Sequence, residues 1–159
     1  MLIAVVSDTH GDEGSIAKVL EIVERAKAEM IIHLGDYVQD AKEIARKYKG
    51  RLVCVKGNCD FGSDIANELV EEIEGKRILI THGHRYDVKN SLTRLMFKAK
   101  ELEVDIALFG HTHIALTEEV LGVWFINPGS AAESRYGAES IAFISIENDK
   151  INVNIKELK

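Results

Sequence analysis

The chain has 159 residues, 46% hydrophobic and 29% charged, the size and balance of one globular domain with a single core spanning residues 1–159. A formal net charge of −6 argues against coating nucleic acid through a basic face, so extended DNA or RNA is not an expected partner. Two cysteines, Cys54 and Cys59, form no disulfide framework and suit a reducing cytoplasm, and the first apolar run stops at Asp8 with no basic stretch before it, so it reads as neither a signal peptide nor a membrane span.

Leu2-Ile3-Ala4-Val5-Val6 reads as a buried strand and runs into Ser7-Asp8-Thr9-His10. Ile16, Val19, Leu20 and Val23 recur at helical spacing, which predicts a helix over roughly 14–27. A second strand, Met30 to Leu34, runs into Gly35-Asp36. The helix expected next has Asp40 as its N-cap, Glu43 completing a capping box, and Ala41, Ile44, Ala45 and Tyr48 on one face. Leu52-Val53-Cys54-Val55 leads to Gly57-Asn58-Cys59-Asp60, and Ile78-Leu79-Ile80 leads to Thr81-His82-Gly83-His84. A third helix follows Asn90, with Leu92, Leu95, Met96 and Ala99 inward. Strands are then expected at 105–109, 114–120, 123–126, 141–146 and 151–156, the first of them ending in Gly110-His111-Thr112-His113. Ile151-Asn152-Val153-Asn154-Ile155 alternates and has one wet face. The first half is β-α-β-α-β with parallel pairing, and the second half is mostly hairpins. The expected fold is α/β: two mixed sheets packed as a sandwich, with helices outside.

Strand ends gather on one edge of such a domain, so five polar clusters distant in sequence should meet in one cleft. Asp8 and His10 are two apart, as are His111 and His113, and residues i and i+2 of extended chain point the same way. Asp8 and Asp36 brought together repel, and two divalent cations relieve this, with Asp36 between them. The resulting positive site attracts phosphate, and a water bridging the ions becomes the nucleophile near neutral pH. Imidazole, carboxylate and amide donors suit manganese, iron, cobalt, nickel or zinc better than calcium or magnesium. Other residues carry milder expectations. His33, inside an apolar run, reads as a satisfied core histidine, with a place behind the metal ligands as the alternative, and Cys54 as core filling. Trp124 reads as core first and as a homo-oligomer interface second. His84 stands evenly between a place behind the ligands and the surface. Arg135 reads as a surface arginine, with a phosphate contact as the alternative.

The ordered motifs Asp-x-His, Gly-Asp, Gly-Asn, His and Gly-His-x-His resemble the calcineurin-like metallophosphoesterase superfamily over residues 1–146 or so. Chain length and the segment Asn127-Pro128-Gly129-Ser130 are similar to its small bacterial and archaeal phosphodiesterase branch. The resemblance implies a four-layer αββα fold and hydrolysis of a small phosphodiester such as a nucleotide. It implies one metal on Asp8, His10, Asp36 and His113, and a second on Asp36, Asn58, His82 and His111. Manganese leads the candidate metals, and Asp36, Asn58 and His82 lie nearest the chemistry. Phosphomonoester or pyrophosphate hydrolysis is the alternative reaction. A protein-binding scaffold, like the retromer subunit that resembles this branch, is the alternative class. One departure stands out. Many members place a histidine straight after the Gly-Asn asparagine, where it protonates the leaving group, and this chain has Cys59 there.

Overall fold

The computed structural model describes residues 1–159. One five-stranded sheet has the order β10 (Lys150–Glu157), β9 (Ser140–Glu147), β1 (Leu2–Val6), β2 (Met30–His33), β3 (Arg51–Cys54). The other has the order β4 (Glu68–Ile73), β5 (Lys76–Thr81), β6 (Ile106–Leu108), β8 (Val123–Pro128), β7 (Ala115–Val120). Alternation along the strands builds the layers. Ile3, Val5 and Ile32 of the first sheet meet Ile78, Ile80, Leu108 and Ile126 of the second in the central core. The opposite faces of β1 and β2, carrying Ala4, Val6 and Ile31, pack on α1 (Glu13–Ala26) through Ile16, Val19 and Val23 and on α2 (Val38–Lys47) through Ile44. Leu79 and Ala107 of the second sheet cover α3 (Thr93–Glu101) through Leu95 and Ala99. The order of layers is therefore helix, sheet, sheet, helix. Each fully buried Ile or Leu contributes about 1.5–3 kcal/mol.

β1, β2 and β3 pair in parallel through α1 and α2, as the alternating pattern requires. The second half is less hairpin-like than expected. β5, β6 and β8 form a parallel core, and hairpins occupy only its margins. β4 has no counterpart in the sequence reading. Its Glu68-Leu69-Val70-Glu71-Glu72-Ile73 is half-exposed and rich in Glu, because an edge strand buries little and uses charge to discourage further pairing. Three two-residue turns, Glu74-Gly75, Leu121-Gly122 and Asn148-Asp149, have positive φ at both positions, the type I′ geometry that suits twisted hairpins.

α1 begins as expected, with the Asp12 carboxylate accepting from Ser15 N at 2.6 Å. α2 does not. It starts two residues before Asp40, its N-cap Tyr37 offers no side-chain bond, and Asp40 lies inside the first turn, where it accepts from Gly11 N at 2.8 Å. The cap of α2 comes instead from Asp60. Trp124 packs against the central core, in agreement with its first reading. No helix is long and apolar enough to cross a membrane.

Candidate metal centre

The carboxyl ends of β1, β2, β5 and β6 lie on one edge, and the loops leaving them bring the predicted residues together. Asp8, His10 and His113 form one group and Asp36, His82 and His111 another, with ligand atoms within 4.8 Å of one another in each. Asn58, leaving β3, joins the second group through its Oδ1, which is 3.1 Å from His82 Nε2. Five of these seven residues hold left-handed backbone: Asp8 (φ 55°), His10 (48°), Asp36 (55°), His111 (68°) and His113 (58°). Each such residue without glycine's freedom costs about 1–2 kcal/mol, so the aim of these side chains is held against local strain.

Each carboxylate has one oxygen tied down and one left bare. Asp8 Oδ2 accepts from the Ser7 hydroxyl and from His111 N at 3.2 Å. Asp8 Oδ1 is buried and has no hydrogen-bond partner. Asp36 Oδ1 accepts from Cys59 N at 3.0 Å, which leaves Oδ2 facing His82 Nε2 at 3.5 Å. The imidazoles are tied in the same sense. His82 Nδ1 is 2.8 Å from Leu34 O, and His113 Nδ1 is 2.8 Å from Glu133 O. A carbonyl only accepts, so both Nδ1 atoms carry hydrogen and the neutral rings present bare Nε2 lone pairs. Those lone pairs meet other lone pairs. His113 Nε2 is 3.1 Å from the orphaned Asp8 Oδ1 and 3.3 Å from His10 Nε2. Acceptors pointed at acceptors in a buried cleft need positive charge between them, from added protons or from cations.

Electrostatics record the same demand. Burial would raise the Asp8 carboxyl, but the close approach of the His10 and His113 rings and the charge of His82 hold it far below the carboxylate range. Burial also works against ionisation of Asp36, yet the nearby His82 ring brings it to about 2. His10 is raised by the Asp8 carboxylate 3.8 Å away. His82 is lowered by burial but raised on balance by Asp36 and Asp8. His111 is depressed to about 4 by burial and by the charge on His82. Two groups that each combine carboxylate and imidazole donors, with bare atoms converging, therefore fit two divalent cations of the borderline transition series.

The loops are stitched to one another by residues the motif reading left aside. Asp60 Oδ2 accepts from Asp36 N at 2.9 Å and Gly57 N at 2.8 Å, and Oδ1 from Tyr37 N at 2.9 Å and Val38 N at 2.8 Å. One carboxylate thus locks the Asp36 loop to the Asn58 loop and caps α2. His33 is fully buried, as expected of a core histidine, and it also joins loops. Its Nδ1 accepts from Gly35 N at 3.1 Å, so its Nε2 hydrogen faces Thr9 Oγ1 at 3.1 Å. The Asn127 amide donates to Gly110 O at 3.1 Å, and the Ser130 hydroxyl to Asp8 O at 2.8 Å. Glycine is required where backbone meets carboxylate: a Cβ on Gly57 would strike Asp36 Oδ1, and one on Gly110 would strike Ser7 Oγ and Asp8 Oδ2. The available sequence signal was position alone, since Asp60 stands two residues after Asn58 and Asn127 opens a Pro-Gly turn.

Three residues left open by the sequence find places. Cys59 is exposed, and burial of its sulfur together with the Asp36 charge pushes its thiol up to about 11. His84 is half-buried, with its ring 5.4 Å from that of His82 and 6.1 Å from that of His111. The Arg135 backbone donates to His113 O at 3.2 Å, and its side chain is exposed.

Residues 1–149 match the model of the calcineurin-like phosphoesterase superfamily domain. The chain is 36% identical over 154 residues to the probable metallophosphoesterase YsnB of Bacillus subtilis, covering 96% of this chain and 89% of that one. It is 31% identical over 163 residues to the phosphodiesterase MJ0936 of Methanocaldococcus jannaschii, covering 92% and 94%. The crystal structure of a conserved protein from Streptococcus pneumoniae TIGR4, described as a predicted phosphoesterase, superposes with a TM-score of 0.81 at 29% identity, covering 99% of this chain and 89% of that one.

Proposed function

The chain belongs to the calcineurin-like phosphoesterase superfamily, and from that membership we propose that it is a metal-dependent phosphodiesterase that works with two divalent ions. The observation that carries this reading is the convergence of bare Nε2 and carboxylate oxygen atoms around the orphaned Asp8 Oδ1. Asp8, His10 and His113 would hold one ion. Asn58, His82 and His111 would hold the other, with Asp36 serving both. When bound, the ions supply Lewis acidity toward phosphoryl oxygens and bring the pKa of a water toward neutrality. Manganese is the leading candidate, and all seven expected positions are filled, which favours catalysis over a scaffold role.

The remaining chemistry belongs to the chain. Leu34 O and Glu133 O hold the hydrogens of His82 and His113 on Nδ1, so that Nε2 faces the site. Ser7 and the His111 amide occupy Asp8 Oδ2 and keep that carboxylate from rotating. Asp60 spends its whole carboxylate on four backbone amides, and Cys59 is a weak proton donor. The residues beside Asn58 therefore offer no efficient acid for a departing oxygen. A small phosphodiester, a nucleotide among them, is the substrate class, and the free thiols Cys54 and Cys59 agree with a cytoplasmic setting.

Elemental analysis after loading with manganese, nickel, iron, cobalt or zinc tests the reading together with a panel of phosphodiesters, monoesters and pyrophosphates. About two ions per chain and preferential cleavage of diesters with stable leaving anions are expected. A stoichiometry held at one, or monoesters cleaved faster than diesters, refutes it.

A further inference from the structure

Next to the Asn58 loop lies a depression of about 540 Å³ whose walls include Tyr37, Gln39, Lys42, Cys59 and Phe61. That is the size range of small-molecule sites. Two of its wall residues touch the ligand groups. The Tyr37 ring meets the His10 ring edge-on at 5.4 Å, and Cys59 follows Asn58 and donates its backbone hydrogen to Asp36. Two aromatic residues on its wall are left in solvent: Tyr37 is 43% exposed and Phe61 92% exposed. The exposure of Phe61 is at odds with its apolar ring, and the packing of α2 and β3 makes no use of it.

We propose that this depression is the subsite for the substrate's non-leaving ester arm, the one that stays on phosphorus, when that arm carries a planar ring of nucleobase size. The inference rests on the phosphodiesterase reading above, which places the phosphate at the two ligand groups. An ester arm that leaves a phosphate at the ligand groups on the side of Cys59 and Tyr37 meets aromatic faces. Flat rings stack on such faces whatever their edge pattern, and the Gln39 amide and Lys42 ammonium on the same wall supply polar contacts for a base edge or sugar. The second depression beside the centre, about 370 Å³ and reached past Thr112, differs in kind. Leu92, Ile114 and Leu116 line it with Lys89 and Arg135, and its one aromatic, Phe109, is buried. The ring is therefore assigned to the first depression.

Two measurements on the zinc-loaded protein test the assignment. The first compares kcat/KM for thymidine 5′-(p-nitrophenyl phosphate) with that for methyl p-nitrophenyl phosphate in the parent, in Phe61→Ala and in Phe61→Trp. The ratio of the two substrates should fall on the order of ten-fold in Phe61→Ala, mostly through KM, and be kept or raised in Phe61→Trp. The second is an NMR titration with thymidine 5′-monophosphate, with methyl phosphate as control. Ring-current shifts should appear at Tyr37 and Phe61 with the nucleotide alone. An unchanged ratio in Phe61→Ala, or shifts at Leu92, Ile114 and Leu116 instead, overturns the subsite and leaves the hydrolase reading intact. Shifts at Phe61 with neither ester hydrolysed under any metal support the subsite and overturn the hydrolase.

Discussion

Left-handed backbone gathers at both ends of the sandwich, for opposite reasons. At the far end, Glu74, Leu121, Asn148 and Asp149 take positive φ because two-residue hairpins must reverse the chain. At the metal-bearing end, Asp8, His10, Asp36, His111 and His113 take it with no hairpin to close. There the strained residues include five whose side chains converge, and long-range ties hold them: Asp60 to Asp36, His33 to Gly35 and Thr9, Ser130 to Asp8. The same unfavourable conformation is local turn chemistry in one place and aiming in the other. Only the second needs the rest of the protein to sustain it.

The contrast is broken most severely at its aimed end. Asp36→Asn keeps the shape and the bond from Cys59 N but removes the charge shared between the two groups. Hydrolysis should fall at least about a hundred-fold and bound metal drop toward one ion per chain while circular dichroism is unchanged. Full activity would show that Asp36 is only a loop residue.

Acid titration probes the ties. His33 is fully buried and its pKa is depressed to about 4, because burial disfavours its charged form. The unfolded chain takes up that proton first, near pH 6.5. The stability His33 contributes is therefore complete above pH 6.5 and is lost as pH falls toward 4, by up to about 3 kcal/mol. His33→Asn retains one acceptor and one donor but binds no proton, so urea melts of the metal-free protein at pH 7, 5 and 4 should show a shallower acid decline in the variant. Parallel declines would place the titration elsewhere.

Asp60→Asn turns two of the four accepted bonds into donor-to-donor contacts. Metal affinity of the Asp36 group should weaken by about 10- to 100-fold, the scale seen when groups that orient ligands are changed. Competition with a chelator measures this, and an unaltered affinity would mean that the Asp36 loop holds its position unaided. The smallest effect is expected at the far end. Leu121 is 92% exposed at φ 51°, a position that suits asparagine better. Leu121→Asn should raise stability by roughly 1 kcal/mol in a thermal melt without touching metal content. A loss of stability there would erase the distinction between the two ends.

Much of this molecule was legible in local pattern. Apolar runs such as Leu2 to Val6 and Ile78 to Ile80 announce strands because burial on both faces demands continuous Ile, Val and Leu. The residues after them announce a cleft because strand ends share an edge. All seven candidate ligands were readable in that way, as were α1 and the parallel pairing of β1, β2 and β3. What escaped depends on partners far apart in the chain. β4 is a strand because β5 pairs with it, and its own residues are half glutamate. Asp40 looked like a helix cap by spacing, but the cap of α2 is Asp60, brought there from 22 residues away by the packing of β3 beside β2. The bare faces of His82 and His113 are likewise set by Leu34 O and Glu133 O, across 48 and 20 residues. Periodicity is a property of neighbours along the chain, so the sequence alone determined the elements with a buried face and the donor types. Hydrogen-bond partnership is a property of neighbours in space, so only the tertiary structure decided which atoms were left bare to bind.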